Sequence, residues 1–230
     1  MAMQQPMNNV IEKANYEKLL AGKKVSLVNC ETALADSICA IFSAQGATVS
    51  VYEGADVPAE TDILVCGTGT LPAGSIEDLG SEALGKAISG SLSVVTKAIG
   101  TVIPYMKEKK AGTIVNIIPE YTKFSMPGVA CFSAVAGAIK SFTAAVAMDY
   151  CKYNVRANCV ECNLVKSDEP EKAIDYQPIK REITVEDVVN AALFLASPMS
   201  GFISGETVTV NGGRFCIGHN QAWQNWLKVI

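Results

Sequence analysis

The sequence holds one histidine, His219, so a histidine-based metal site or catalytic triad within one chain is excluded. Its start lacks a basic-then-apolar leader. Residues 1–20 read as a polar extension ahead of the fold, and a cytoplasmic chain is expected. No uninterrupted apolar run reaches the ~18 residues of a membrane span, so no membrane partner is expected. No sign of charge dominates: 19 Lys and Arg stand against 23 Asp and Glu, and a net charge of −4 weighs against nucleic acid. The eight cysteines are scattered through apolar segments without the spacing of a disulfide framework, and they read as reduced core side chains. Cys159-Val160-Glu161-Cys162 has the spacing of a thiol pair, but it falls at a predicted strand end with no second pair. It reads as structural, and no metal is expected.

What is present is a core. A chain of 230 residues with 49% hydrophobic and 18% charged residues suits one α/β domain over 1–230. Residues 20–28 with their lead-in, 47–53, 62–66, 113–118 and 154–159 read as short buried strands. Helices are expected over 33–44, ending at Gln45-Gly46, and over 81–109, 131–150 and 184–196. The last of these opens with Thr184 as N-cap and Asp187 three residues on, close to a capping box. Residues 111–165 alternate strand, Pro- and Gly-containing loop, small-residue helix and strand. That is a βαβ unit of a parallel sheet.

Only the nine residues Glu53 to Thr61 lead from the end of the second strand to the strand that begins at Asp62. A crossover carrying a helix needs about a dozen. At ~3.3 Å per residue the link can cross in extended form, but it cannot hold a helix. The turn after the first strand reads Asn29-Cys30-Glu31-Thr32-Ala33-Leu34-Ala35-Asp36, with no glycine. A pyrophosphate needs bare backbone N–H groups at such a turn, and acidic side chains there oppose it.

These segments resemble the short-chain dehydrogenase/reductase family, a Rossmann-like doubly wound sheet, over about residues 20–215. The register rests on Gly112-Thr113-Ile114-Val115-Asn116-Ile117, on Phe132-Ser133-Ala134, on Val155-Arg156-Ala157-Asn158 and on residues 202–213. In that register the family's serine, tyrosine, lysine and asparagine fall at Pro119, Phe132, Ala136 and Ser91. Its three phosphate-loop glycines fall at Cys30, Leu34 and Asp36. Ala55-Asp56-Val57 stands as a vestige of the third strand, whose residues flank adenine, and Glu53 reads as a surface residue.

The resemblance implies a scaffold without the chemistry: no catalytic residue, and no cofactor bound by this chain. It implies an inactive subunit beside an active paralogue in a hetero-oligomer, a heterotetramer, with NAD on the partner and a CoA ester as substrate at a shared site. The family includes one such pairing, an alcohol dehydrogenase of anaerobic toluene degradation. In family tetramers the small-faced helix, the long helix and the last strand form contacts, and the tail 214–230, with Trp223 and Trp226, can reach a neighbour. Residues 166–182 correspond to a substrate lid. Two alternatives stand beside this reading. One is a cofactor-free lyase or isomerase using Glu120, Tyr121 or Glu161, although the loop after Pro119 suits solvated residues. The other is a ligand-binding regulator that reuses the cleft.

Overall fold

A computed structural model describes residues 18–123, 125, 127–162 and 178–214. Most of the N-terminal extension, the loop from Asn163, most of the lid segment and the tail beyond Arg214 lie outside the described residues.

The β-branched runs form strands β1 (Lys24–Val28), β2 (Thr48–Tyr52), β3 (Ile63–Cys66), β4 (Gly112–Pro119), β5 (Val155–Cys162) and β6 (Thr207–Val210). All pair in parallel, in the order β2-β1-β3-β4-β5-β6. Register fixes the site: Cys66 lies beside Asn116, and Pro119, the last residue of β4, lies beside Cys162, the last of β5. The helices are α1 (Thr32–Ala44), α2 (Ile76–Ile88), α3 (Val94–Lys109), α4 (Ala130–Tyr150) and α5 (Val185–Ala196).

Because helices cover both faces, the central strands read as nearly unbroken apolar runs. On one face Ile114, Ile118, Ala157 and Cys159 pack under Val95, Ala98 and Val102 of α3 and Val135 and Ile139 of α4. On the other, Leu27, Val65, Val115 and Val160 pack under Ile38 and Phe42 of α1 and Val188, Ala192 and Leu195 of α5. Each buried valine, leucine, isoleucine or phenylalanine among them contributes about 1.5–3 kcal/mol.

The shortened link crosses over as the spacing requires, with no helix between Tyr52 and Ile63. The third strand leaves no vestige of regular structure. Ala55 and Val57 instead bury themselves in the core beside α3. The link is stitched down by the Thr61 hydroxyl, which donates to the Pro58 carbonyl at 2.7 Å and meets Ser26 Oγ at 2.8 Å. The third strand being absent, β2 becomes a sheet edge.

The long helix differs from the expected 81–109. It begins at Ile76, capped by Ser75 Oγ, which accepts from Asp78 N at 3.2 Å. It breaks after one turn at Gly80, whose φ of 64° is left-handed and suits glycine. It then widens into a π turn, Ser89–Ser93, before α3. The stretches Ile76–Lys109 and Ala130–Tyr153 are long and apolar enough to cross a bilayer by length and composition. Counting uninterrupted apolar runs misses them, because isolated polar residues such as Ser133 and Lys140 break up the run. In this fold each lays one side on the sheet. The expected capping box is present: Thr184 Oγ1 accepts from Asp187 N, and Asp187 accepts from Thr184 N at 2.9 Å.

Candidate functional site

The carboxyl ends of β3, β4 and β5 and the start of α4 meet at one end of the sheet, and the sequence-predicted positions gather there. Pro119 closes β4. Phe132 sits in the first turn of α4, and its ring stands edge-on to Tyr121, with centroids 5.8 Å apart. Ala136, one turn further on, is fully buried. Ser91 lies buried on the π turn, against which α4 packs, and its hydroxyl donates to the Thr68 carbonyl. Of these four side chains only Ser91 carries a titratable or hydrogen-bonding group, and that hydroxyl is committed to a backbone carbonyl. A phenyl ring and a methyl group cannot exchange protons.

The turn after β1 is filled by the protein itself. Asn29, at a φ of 54°, lies over the end of β3. Its carbonyl accepts from Gly69 N at 2.9 Å, and its side chain sits where a Cβ on Gly69 would come within 2.5 Å of Oδ1. That approach, with a φ of 65°, explains why glycine stands at position 69. Cys30 is partly buried, and burial pushes its thiol up to about 12. Leu34 points into the core beside Ile38, while Asp36 is exposed on α1. Glu31 precedes the helix without capping it. Glu53 is exposed, as expected of a surface residue.

Two carboxylates that a loop reading leaves solvated are fully buried here: Glu120 and Glu161, with Tyr121 beside them nearly so. The reason is charge pairing from distant parts of the chain. Arg214, just past β6, donates to Glu120 Oε1 at 2.7 Å. Glu161 accepts from the Thr122 hydroxyl and from Thr122 N, takes Thr209 Oγ1 at 3.4 Å, and has Lys140 Nζ at 3.9 Å. Lys140 also donates to Thr122 Oγ1 at 3.1 Å. Burial pushes the Cys162 thiol up to about 12, and Glu120 and Glu161 add to it. Burial likewise raises the Tyr121 hydroxyl, helped by Glu120 and opposed by Arg214.

Cys159 and Cys162 do not converge. Cys159 faces α4, where its Sγ meets Thr143 Oγ1 at 3.3 Å, and Cys162 belongs to the core on the opposite face of the sheet. Odd spacing along a strand puts side chains on opposite faces. Among the described residues no cluster of His, Cys, Asp and Glu could hold a metal ion. The sequence reading missed Lys140 and Arg214. Lys140, eight residues after Phe132 on a helix of small residues, carries the signal that could have found it.

Comparison with known proteins fits this geometry. The enoyl-(acyl carrier protein) reductase family matches residues 55–214. The chain is 30% identical to 2-(S)-hydroxypropyl-CoM dehydrogenase 3 of Xanthobacter autotrophicus, over 86% of this chain and 89% of that protein. It is 28% identical to the inactive 2-(S)-hydroxypropyl-CoM dehydrogenase 2 of the same organism, over 86% of this chain and 97% of that one. A solved gluconate 5-dehydrogenase from Burkholderia cenocepacia, in complex with NADP and tartrate, superposes with a TM-score of 0.78 at 17% identity, over 88% of this chain and 99% of that one. A parallel six-stranded sheet with helices on both faces, matched along this much of its length, assigns the chain to the short-chain dehydrogenase/reductase family.

Proposed function

We propose that this chain is a catalytically inactive subunit that assembles with an active short-chain dehydrogenase paralogue in a hetero-oligomeric NAD-dependent alcohol dehydrogenase. The observation that carries the reading is Phe132, edge-on to Tyr121, at the position where the family places its proton-donating tyrosine, with Ala136 one turn beyond. A relative at 28% identity is itself named an inactive dehydrogenase. The partner docks on the outer groove between α3 and α4, lined by Ile99, Ile103, Pro104, Phe142, Val146 and Tyr150. Met148, on the outer side of α4, is 78% exposed. NAD belongs to the partner, and the substrate is a CoA ester, 2-[hydroxy(phenyl)methyl]succinyl-CoA of anaerobic toluene degradation.

The rival reading, a cofactor-free lyase or isomerase working through Glu120, Tyr121 or Glu161, is disfavoured because both carboxylates are enclosed and face a cation. Co-expression with an intact short-chain dehydrogenase encoded nearby tests the proposal. The expected result is a stable mixed oligomer that reduces NAD with the CoA ester, while the isolated chain does neither. A chain that purifies as a homo-oligomer and never captures the paralogue sinks it, as does turnover by the chain alone that is lost in Glu120→Gln.

A further inference from the structure

The shortened crossover leaves β2 as an open sheet edge, and its five residues, Thr48-Val49-Ser50-Val51-Tyr52, read nearly the same in both directions. Thr48 N donates to Lys23 O at 2.8 Å, so Thr48 turns its backbone groups towards β1. Backbone direction alternates along a strand, so Ser50 and Tyr52 do the same. Val49 and Val51 therefore present their N–H and C=O groups outward. Among the described residues no strand pairs with them. Natural edges are usually guarded by lysine, proline, a bulge or a covering element. This strand carries no charge and no proline, and Val51 is 52% exposed.

We propose that β2 pairs antiparallel with β2 of a second copy of this chain, across a two-fold axis at Ser50. In that register Val49 faces Val51 of the second copy as a hydrogen-bonded pair. The same pairing repeats on the other side of the axis, so each outward N–H and C=O of both valines finds a partner. Thr48 meets Tyr52, a β-branched residue against an aromatic, as cross-strand pairs favour. Beyond the strand ends Gly46 lies opposite Gly54, and Ala47 opposite Glu53, so no like charges meet. This complementarity of the strand with itself selects a second copy as the occupant. A C2 contact needs one patch that fits its own image. Ser50 meets Ser50 as a non-hydrogen-bonded pair, with Cα atoms about 4.5 Å apart. That spacing lies within the range a disulfide spans. The inference is independent of the proposed subunit role. In a mixed oligomer the same contact would join copies of this chain.

The test uses the full chain, with any co-purifying partner left in place. Ser50→Cys, mildly oxidised, is expected to form a covalent dimer of this chain well above the background of the wild-type cysteines, whereas Thr48→Cys does not. Val51→Lys, checked by circular dichroism for an unchanged fold, is expected to weaken self-association in sedimentation equilibrium roughly tenfold, as edge lysines do. The proposal is overturned if Ser50→Cys cross-links no faster than Thr48→Cys. It is equally overturned if Val51→Lys sediments as the wild type does, if the cross-link joins a different protein, or if self-association occurs only after residues 1–17 are removed.

Discussion

Glu120 and Arg214 stand 94 positions apart, yet their 2.7 Å contact joins the end of β4 to the residues just past β6. Removing one member of a buried ion pair leaves the other in a low-dielectric site and costs about 3–5 kcal/mol. Arg214→Met is therefore expected to lower stability by about 3 kcal/mol in urea unfolding, and Arg214→Met/Glu120→Met to recover most of that loss. A double variant as unstable as Arg214→Met would show that the pair is not what holds this corner. At this scale the sequence was least legible. Nothing near Glu120 or Glu161 announces a cation, because Arg214 and Lys140 arrive through the fold. Solvation was the natural expectation for a loop after proline, and tertiary pairing overrode it. Phe132, Ala136 and Pro119 were readable only through the family register, since an apolar residue in a helix or strand looks like any other.

Among the elements, α5 shows a local rule at work. Arg181 grips Asp187 with both guanidinium nitrogens, at 2.5 and 2.7 Å, while Asp187 accepts from Thr184 N. The Arg181 hydrogen bonds first, and then the Thr184 amide, hold the Asp187 carboxyl well below its ordinary value. A carboxylate depressed in the folded state stabilises above its unfolded value of ~3.9, and that contribution fades as pH falls through the lower folded value. Asp187→Asn should cost about 1 kcal/mol at pH 7, in line with other caps. It should also shrink the loss of stability below pH ~4 in acid titration followed by circular dichroism. A variant with the wild-type acid profile would remove Asp187 from that account. The capping box was legible because its signal is local, two residues three apart. The break at Gly80 and the π turn at Ser89–Ser93 were not, since the apolar spacing continues across both.

At the scale of the molecule, the doubly wound parallel sheet was legible through the family resemblance, and the short link between β2 and β3 through its length. That short link forbade a helical crossover, and an open edge is its result. The occupied turn at Asn29 and Cys30 leads to a prediction about cofactor. Restoring the family residues in Pro119→Ser/Phe132→Tyr/Ala136→Lys is expected to leave NAD without measurable heat in calorimetry, as for the wild-type chain. The pyrophosphate would still meet Asn29 and Cys30 instead of bare backbone. Saturable NAD binding by either protein would refute this. The sheet also keeps the thiols of the CxxC spacing apart. With Cys159 under α4 and Cys162 on the reverse face, a β-sheet's thickness of backbone insulates one sulfur from the other. Under oxidative stress the protein has no intramolecular ring to close at that spot. Drift at either position is therefore constrained by side-chain volume and not by redox chemistry.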